Sequence, residues 1–109
     1  VMRNAETIEL LLAMISACIL APLFEEIVFR GHLQTALGHL LPGRWPAIFV
    51  SSLFFALMHV GLPWSVPAIF LLSLGLGYAY ERTGNLWVPI GIHVLFNSTM
   101  TALFMYSHW

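Results

Sequence analysis

The sequence has no aspartate, no lysine and only one cysteine among its 109 residues. The lack of aspartate excludes an aspartyl-protease pair, because that mechanism needs two aspartate carboxylates. The lone Cys18 excludes an internal disulfide, and we interpret it as a small residue of the apolar core. Charged residues make up 8% of the chain, and the formal net charge is −1. Because no basic patch is present to contact phosphates, nucleic acid is not expected as a partner.

Long stretches of the chain carry no charged residue at all. Residues 45–80 and 83–109 contain none, and 60% of the chain is hydrophobic. A membrane-spanning helix needs roughly 20 apolar residues, so the first stretch can hold two spans and the second can hold one. We therefore predict an integral membrane protein surrounded by a lipid bilayer. Short loops and the absence of lysine favour a bacterial plasma (inner) membrane.

Three turn signals divide the chain into four helices: Pro42-Gly43, the segment 61–67 (GLPWSVP) and Thr83-Gly84-Asn85. Helices are thus predicted near residues 7–40, 45–60, 66–82 and 88–107. Only a helix satisfies its own backbone groups in lipid, so the predicted fold class is all-α, a polytopic transmembrane helical bundle of about four spanning helices. We expect residues 1–109 to form a single membrane-embedded catalytic core. Because the first residue is not Met, we expect this core to be a fragment of a longer polytopic protein.

Proline, small residues and tryptophan predict further details of the helices. Pro22 lacks a backbone donor and should kink the first helix one turn before Glu25. The third helix carries two interleaved small-xxx-small pairs that suit close packing in lipid, namely Ser73 with Gly77 and Gly75 with Ala79. Four tryptophans lie near predicted helix ends, as interface anchors do: Trp45, Trp64, Trp87 and Trp109.

Ionisable residues inside predicted spans need an explanation, since each costs about 2.5–3.5 kcal/mol on insertion scales. Glu26 and Arg30 are four residues apart and share a helix face, so Glu26 is the expected ion-pair partner that makes Arg30 tolerable in lipid. Glu25 points about 100° away from Glu26. It therefore has no partner on its own helix and is available for chemistry.

The turn positions also predict the depth of these groups. Glu25 lies about 17 residues before the Pro42-Gly43 turn and His59 about 16 residues after it, so both are roughly 25 Å from the turn along a helix. His93 and Asn97 are one turn apart on the fourth helix and reach a similar depth. Three helices are therefore predicted to place polar groups in one layer.

These residue types support hydrolysis of a peptide bond. A carboxylate beside an imidazole, here Glu25 and His59, can deprotonate water and return the proton to a leaving amine. An imidazole and a carboxamide on one face, here His93 and Asn97, can donate two hydrogen bonds to an oxyanion. This interpretation needs no cofactor.

Zinc is the alternative that the same residues leave open. Glu25, His59 and His93 would be adequate ligands, with water in the fourth position. Asn97 stands where a second imidazole of the fourth helix would be expected, and a carboxamide is a poor zinc ligand. The metal-free interpretation is therefore favoured on ligand preference.

Three segments resemble the motifs of a known family. Residues 25–31 (EEIVFRG) resemble EExxxR, residues 55–59 (FALMH) resemble FxxxH, and residues 93–97 (HVLFN) are similar to HxxxN. In this order and spacing they resemble the CAAX-protease and bacteriocin-processing (ABI) membrane peptidases. The resemblance implies a helical membrane fold and a membrane-associated peptide or protein as substrate.

The resemblance also implies roles for individual residues. Glu25 would be the general base acting with His59, and His93 with Asn97 would form the oxyanion hole. Glu26, Arg30 and Phe55 would support them. Two other hypotheses remain: a non-enzymatic bacteriocin-immunity or scaffold protein with a vestigial site, and a proton or ion pathway through the buried acids and imidazoles. One layer of polar groups, rather than a chain across the bilayer, argues against the pathway.

Overall fold

The computed structural model describes residues 3–59 and 65–108, and within these ranges every element is a helix. Helix α1 spans Asn4–Leu40, α2 spans Arg44–Leu57, α3 spans Val66–Thr83 and α4 spans Trp87–His108. The predicted all-α fold class is confirmed. The predicted turn at 61–67 lies mostly outside the described residues, as do Trp64 and Trp109.

Two of the four helices, α1 and α4, are long and apolar enough to cross a membrane. The four predicted helices are all present, and within the described residues α2 and α3 fall short of this length or hydropathy. Helix α2 has 14 residues, about 21 Å of helix, whereas the hydrocarbon core is about 30 Å thick. It ends at Leu57, earlier than predicted, because Met58 and His59 form a turn. Helix α3 ends in Glu81-Arg82-Thr83, which lowers its mean hydropathy.

The turns between helices have the expected local chemistry. Gly43 and Gly84 adopt positive φ angles of 95° and 63°, which glycine reaches without the steric penalty of a side chain. Asn85 caps α4, since its side-chain oxygen accepts a hydrogen bond from the Trp87 amide at 3.0 Å. Pro89 then lies in the first turn of α4, where a missing donor does no harm.

Helix α1 is not a regular α-helix. Two segments, Ser16–Leu20 and Ile27–Gln34, are π-helical, and α-helical turns flank them. The first of these segments leads into Pro22, at the position of the predicted kink, and the helix continues through it. Buried side chains recur along α1 at every fourth residue, and this buried stripe consists of Cys18, Pro22, Glu26, Arg30 and Gln34.

The π-helical segments explain the straightness of the buried stripe. In a regular α-helix, residues four apart are rotated by about 40°, so Cys18 and Gln34 would point in nearly opposite directions. A π-helix places more residues in each turn, which cancels this rotation. The stripe therefore faces the other three helices along its whole length.

Helix α3 packs against the stripe through one of its two small-residue pairs. Ser73 and Gly77 are buried, and the Gln34 side chain donates to the Gly77 carbonyl at 3.1 Å and to Glu81 at 3.1 Å. Gly75 of the second predicted pair is exposed and has open space around it. The prediction of two packing pairs is thus correct only for the first.

A methyl group at Gly77 should destabilise the bundle. The added Cβ would lie 2.7 Å from Gln34 Oε1 and 2.9 Å from Ile48 Cγ2, and overpacking of this kind costs about 1–3 kcal/mol. We expect Gly77→Ala to lower the free energy of unfolding in micelles by that amount. Gly75→Ala is the matched control and should have little effect. Equal stabilities of the two variants would contradict the close packing at Gly77.

Candidate active site

His59 is oriented by the end of helix α2. Its backbone amide donates to Ala56 O at 3.0 Å, so the Phe55 carbonyl loses the partner it would have in a continuing helix. The ring nitrogen Nδ1 lies 2.6 Å from that carbonyl oxygen and donates to it. This fixes the tautomer and the direction of the ring. The other nitrogen, Nε2, then lies 3.0 Å from Glu25 Oε2.

His93 is oriented by the neighbouring carboxylate of Glu26. Its Nδ1 lies 2.8 Å from Glu26 Oε2, and an ionised carboxylate only accepts, so Nδ1 carries the hydrogen. The ring is buried, and its Nε2 lies 3.7 Å from Glu25 Oε1. Both imidazoles therefore turn Nε2 towards the same carboxylate.

Glu25 lies between the two rings and retains 24% side-chain exposure. The predicted convergence of Glu25, His59 and His93 is confirmed by these distances, while their chemical roles stay predictions. Because both Nδ1 atoms already hold hydrogens, a hydrogen bond between Glu25 and either Nε2 requires one further proton. At the 3.0 Å distance between Glu25 and His59, a carboxylate and an imidazole can share a proton taken from a third group, which is the arrangement that general acid–base catalysis uses.

The predicted Glu26–Arg30 ion pair is confirmed. Arg30 Nη1 lies 3.1 Å from Glu26 Oε2, and both side chains are fully buried. Arg30 also donates to the Ser73 carbonyl oxygen at 2.6 Å and to the Ser73 hydroxyl. Sequence reasoning missed the second contact of Glu26, the hydrogen bond from His93, which lies 67 residues away, since no spacing along the chain encodes it.

The Phe55 ring lies against both imidazoles and the Arg30 guanidinium. Its ring centroid lies 4.6 Å from that of His59 and 5.8 Å from that of His93. The Arg30 guanidinium stands 5.0 Å from the same ring, a cation–π distance. Phe55 is 1% exposed, so it both packs the site and keeps water from the ion pair.

Asn97 reaches the site from the next turn of α4. Its Nδ2 donates to the Ala17 carbonyl of α1 at 3.0 Å. All four residues predicted to be catalytic border one cavity of about 180 Å³, whose lining is Glu25, Phe55, His59, Ile69, Leu72, His93, Phe96 and Asn97. The four residues predicted to be catalytic therefore line the same cavity.

A second cavity borders Glu25 and His59 from the other side. It has a volume of about 350 Å³, and apolar side chains supply the rest of its lining: Phe24, Val28, Phe29 and Met58. The carboxylate–imidazole pair thus stands between a small cavity with polar groups and a larger apolar one.

The site meets one requirement of a zinc centre and fails another. Histidine ligands of zinc usually donate Nδ1–H to a carbonyl or carboxylate, as His59 and His93 both do here. Within residues 3–59 and 65–108, however, no three potential ligand side chains are grouped so that they could hold a metal ion. The donor chemistry fits zinc, but the arrangement of the side chains does not.

The chain is similar in sequence to known proteins. The family profile described as type II CAAX prenyl endopeptidase Rce1-like matches residues 7–99. The chain is 40% identical over 84 residues to the membrane-embedded CAAX protease MroQ of Staphylococcus aureus (strain USA300), covering 72% of this chain and 34% of that protein. No solved structure is significantly similar to the chain.

Two further proteins are similar in sequence to the chain. Identity is 35% over 86 residues to the UPF0177 protein YaiF of Lactococcus lactis subsp. lactis (strain IL1403), covering 79% of this chain and 38% of that protein. It is 32% over 89 residues to the putative membrane peptidase YdiL of Bacillus subtilis (strain 168), covering 80% and 35%. The chain spans less than half the length of each of these relatives.

Removing the Arg30 charge should destabilise the protein severely. In Arg30→Met the Glu26 carboxylate would stay buried without its cation, which costs about 3–5 kcal/mol. We expect a loss of that size in the free energy of unfolding in micelles. Arg3→Met is the control, because the Arg3–Glu6 pair is exposed and contributes little.

Changing the carboxylate partner of Arg30 tests the cause of that loss. In a Glu26→Gln background no carboxylate remains to be left unpaired, so Arg30→Met should cost much less than it does alone. If the two changes cost the same separately and additively, the ion pair is not the source of the stability.

Proposed function

The chain belongs to the Rce1-like family of type II CAAX prenyl endopeptidases, and from this premise we propose that it is an intramembrane endopeptidase. It hydrolyses a peptide bond of a membrane-associated peptide or protein with a water molecule activated by Glu25 and His59. The observation that carries the proposal is the Glu25 carboxylate held 3.0 Å from His59 Nε2 at the edge of a cavity. We further propose a bacterial plasma membrane as its location, since the relatives compared above are bacterial.

In the proposed reaction, water in the small cavity loses a proton to the Glu25–His59 pair as its oxygen attacks the scissile carbonyl carbon. The C=O double bond opens to a tetrahedral oxyanion. When the oxyanion collapses, the C–N bond breaks and the same pair gives the proton to the leaving amine. No covalent intermediate with the protein forms, and the reaction consumes one water.

In this scheme His93 and Asn97 donate hydrogen bonds to the oxyanion. Donation from His93 Nε2 needs a doubly protonated ring, because Nδ1 already donates to Glu26. The buried Glu26 carboxylate accepts the Nδ1 hydrogen of that imidazolium and also pairs with Arg30. A donor of this kind is worth about 10²–10³ in rate, which accounts for keeping such costly groups in a membrane protein.

The surroundings of the pair support an apolar substrate. One side of Glu25 and His59 opens into the larger cavity with Phe24, Phe29 and Met58. A bulky apolar group next to the cleaved bond would bury its surface there, and apolar burial contributes about 25 cal/mol per Å². A substrate that lies in the bilayer also approaches this site without leaving lipid.

A zinc-dependent version is the second candidate, favoured by the Nδ1 hydrogen bonds of both histidines. To hold the ion, Glu25, His59 and His93 would have to rearrange, since in the described residues they are not grouped as a metal site. Zinc would then supply polarisation of the carbonyl and a more acidic water. Asn97 and Glu26 would keep the roles described above.

Changing Glu25 to glutamine should abolish cleavage and leave the fold intact, because a carboxamide of the same size cannot accept the proton. We would compare peptide termini in cells that express the wild type or Glu25→Gln at matched membrane levels. Glu9→Gln is the control, since Glu9 is an exposed carboxylate on the same helix. Termini that require Glu25 and not Glu9 are the expected result.

Cleavage that survives Glu25→Gln would contradict the peptidase mechanism. A biological effect that persists in Glu25→Gln and in His59→Ala alike would instead favour the immunity or scaffold hypothesis. Proton flux into liposomes that depends on Glu25, without any cleavage, would favour the proton pathway.

Metal removal separates the two versions of the peptidase. The glutamate mechanism predicts that purified protein retains its rate after dialysis against a strong chelator and contains no stoichiometric zinc. The zinc version predicts loss of activity, followed by recovery on adding zinc back. Elemental analysis of the same samples checks that the chelator has removed the metal.

A further inference from the structure

One backbone carbonyl of helix α1 is left without a helical partner. In the π-helical segment Ser16–Leu20, the Ala21 amide donates to Ser16 O, so it is not available to Ala17 O as it would be in an α-helix. The amide five residues after Ala17 would belong to Pro22, and proline has no N–H. Neither the α-helical nor the π-helical register therefore supplies a donor for the Ala17 carbonyl.

The side chain of Asn97 fills this vacancy. Its Nδ2 donates to Ala17 O at 3.0 Å from helix α4, 80 residues further along the chain. A carboxamide nitrogen carries two hydrogens, so one of them stays free for a second acceptor. Asn97 also lines the small cavity with Glu25 and His59, and an acceptor in that cavity lies within the range of the side chain.

We propose that Pro22 is a positioning residue, which keeps the Ala17 carbonyl free so that this carbonyl can orient the Asn97 carboxamide with its nitrogen towards the oxyanion. This inference rests on the proposed function. The carboxamide could otherwise rotate and present its oxygen, which would repel a developing negative charge. A fixed donor needs no reorganisation when that charge forms.

The location of Pro22 suits this role. It is fully buried and lies in the stripe of α1, one turn before Glu26 and two residues after the π-helical segment. The same segment contacts α4 a second time, where Cys18 Sγ lies 3.5 Å from Thr101 Oγ1. These two contacts hold the backbone around Ala17 beside the turn of α4 that carries Asn97.

The hydrogen bond can be measured without any assay of activity. The chain has one cysteine, so labelling with ¹³C-carbonyl alanine and ¹⁵N-cysteine yields a single NMR correlation, between Ala17 and Cys18. We expect Asn97→Ala to move the Ala17 carbonyl signal upfield, because the carbonyl loses its donor. Ser98→Ala, one residue further on α4, is the matched control and should leave the signal in place. An unchanged signal in Asn97→Ala overturns the proposal.

Pro22→Ala gives residue 22 an N–H that can reach Ala17 O in the π-helical register. In that background Asn97→Ala should no longer move the Ala17 signal, since the backbone amide has taken the place of the carboxamide. A shift as large as in the wild type would overturn the proposal, because Pro22 would then not decide which donor the carbonyl receives.

Kinetics connects the hydrogen bond to the reaction. We expect Pro22→Ala to lower kcat about 10-fold with little change in KM, part of the 10²–10³ that an oxyanion donor provides. Pro67→Ala is the control, since Pro67 lies exposed in the first turn of α3. An N–H at this position has no helical carbonyl to donate to. In an Asn97→Ala background, Pro22→Ala should change kcat less than about 2-fold, because the two act through one contact.

These measurements distinguish a failure of the positioning role of Pro22 from a failure of the proposed peptidase function. Additive losses of kcat from Pro22→Ala and Asn97→Ala would overturn the positioning role and leave the peptidase proposal standing. If Glu25→Gln abolishes nothing, the proposed function fails, while the Ala17 carbonyl signal still reports whether Pro22 directs the Asn97 hydrogen bond.

Discussion

The buried Glu26–Arg30 pair is the interaction on which the rest of the structure depends. Both residues belong to α1, yet Arg30 bonds Ser73 of α3 and stands over Phe55 of α2, while Glu26 accepts a hydrogen bond from His93 of α4. One ion pair thus contacts all four helices. In an apolar environment neither charge can be left unpaired, so the helices must meet where the pair is.

The same constraint explains why two adjacent glutamates differ so much. Glu26 faces the stripe and has no exposed surface, whereas Glu25 is turned by about 100° and lies at the edge of two cavities. The helix therefore separates a carboxylate that holds the structure from one that can meet water. The histidines follow the same division, since each uses Nδ1 for an internal bond and leaves Nε2 for Glu25.

The sequence predicts this centre as far as helix geometry and burial costs reach. Counting residues from the Pro42-Gly43 turn brings Glu25 and His59 to one depth, and the four-residue spacing pairs Glu26 with Arg30. The π-helical segments could not be predicted in this way, because their register depends on contacts with other helices. The Asn97–Ala17 and His93–Glu26 bonds join residues too distant in sequence for any local pattern. The short α2 was missed because the chain stays apolar up to His59.

The straight stripe along α1 has a consequence for how such chains can diverge. Loops accept insertions because their ends stay close together, and side chains on the lipid face can be exchanged for others of similar polarity. Between Cys18 and Gln34, however, a single inserted or deleted residue would rotate everything beyond it by about 100°. Gln34 would then leave Gly77, and Arg30 would leave Ser73. The number of residues in this segment is therefore more constrained than the identity of most of them.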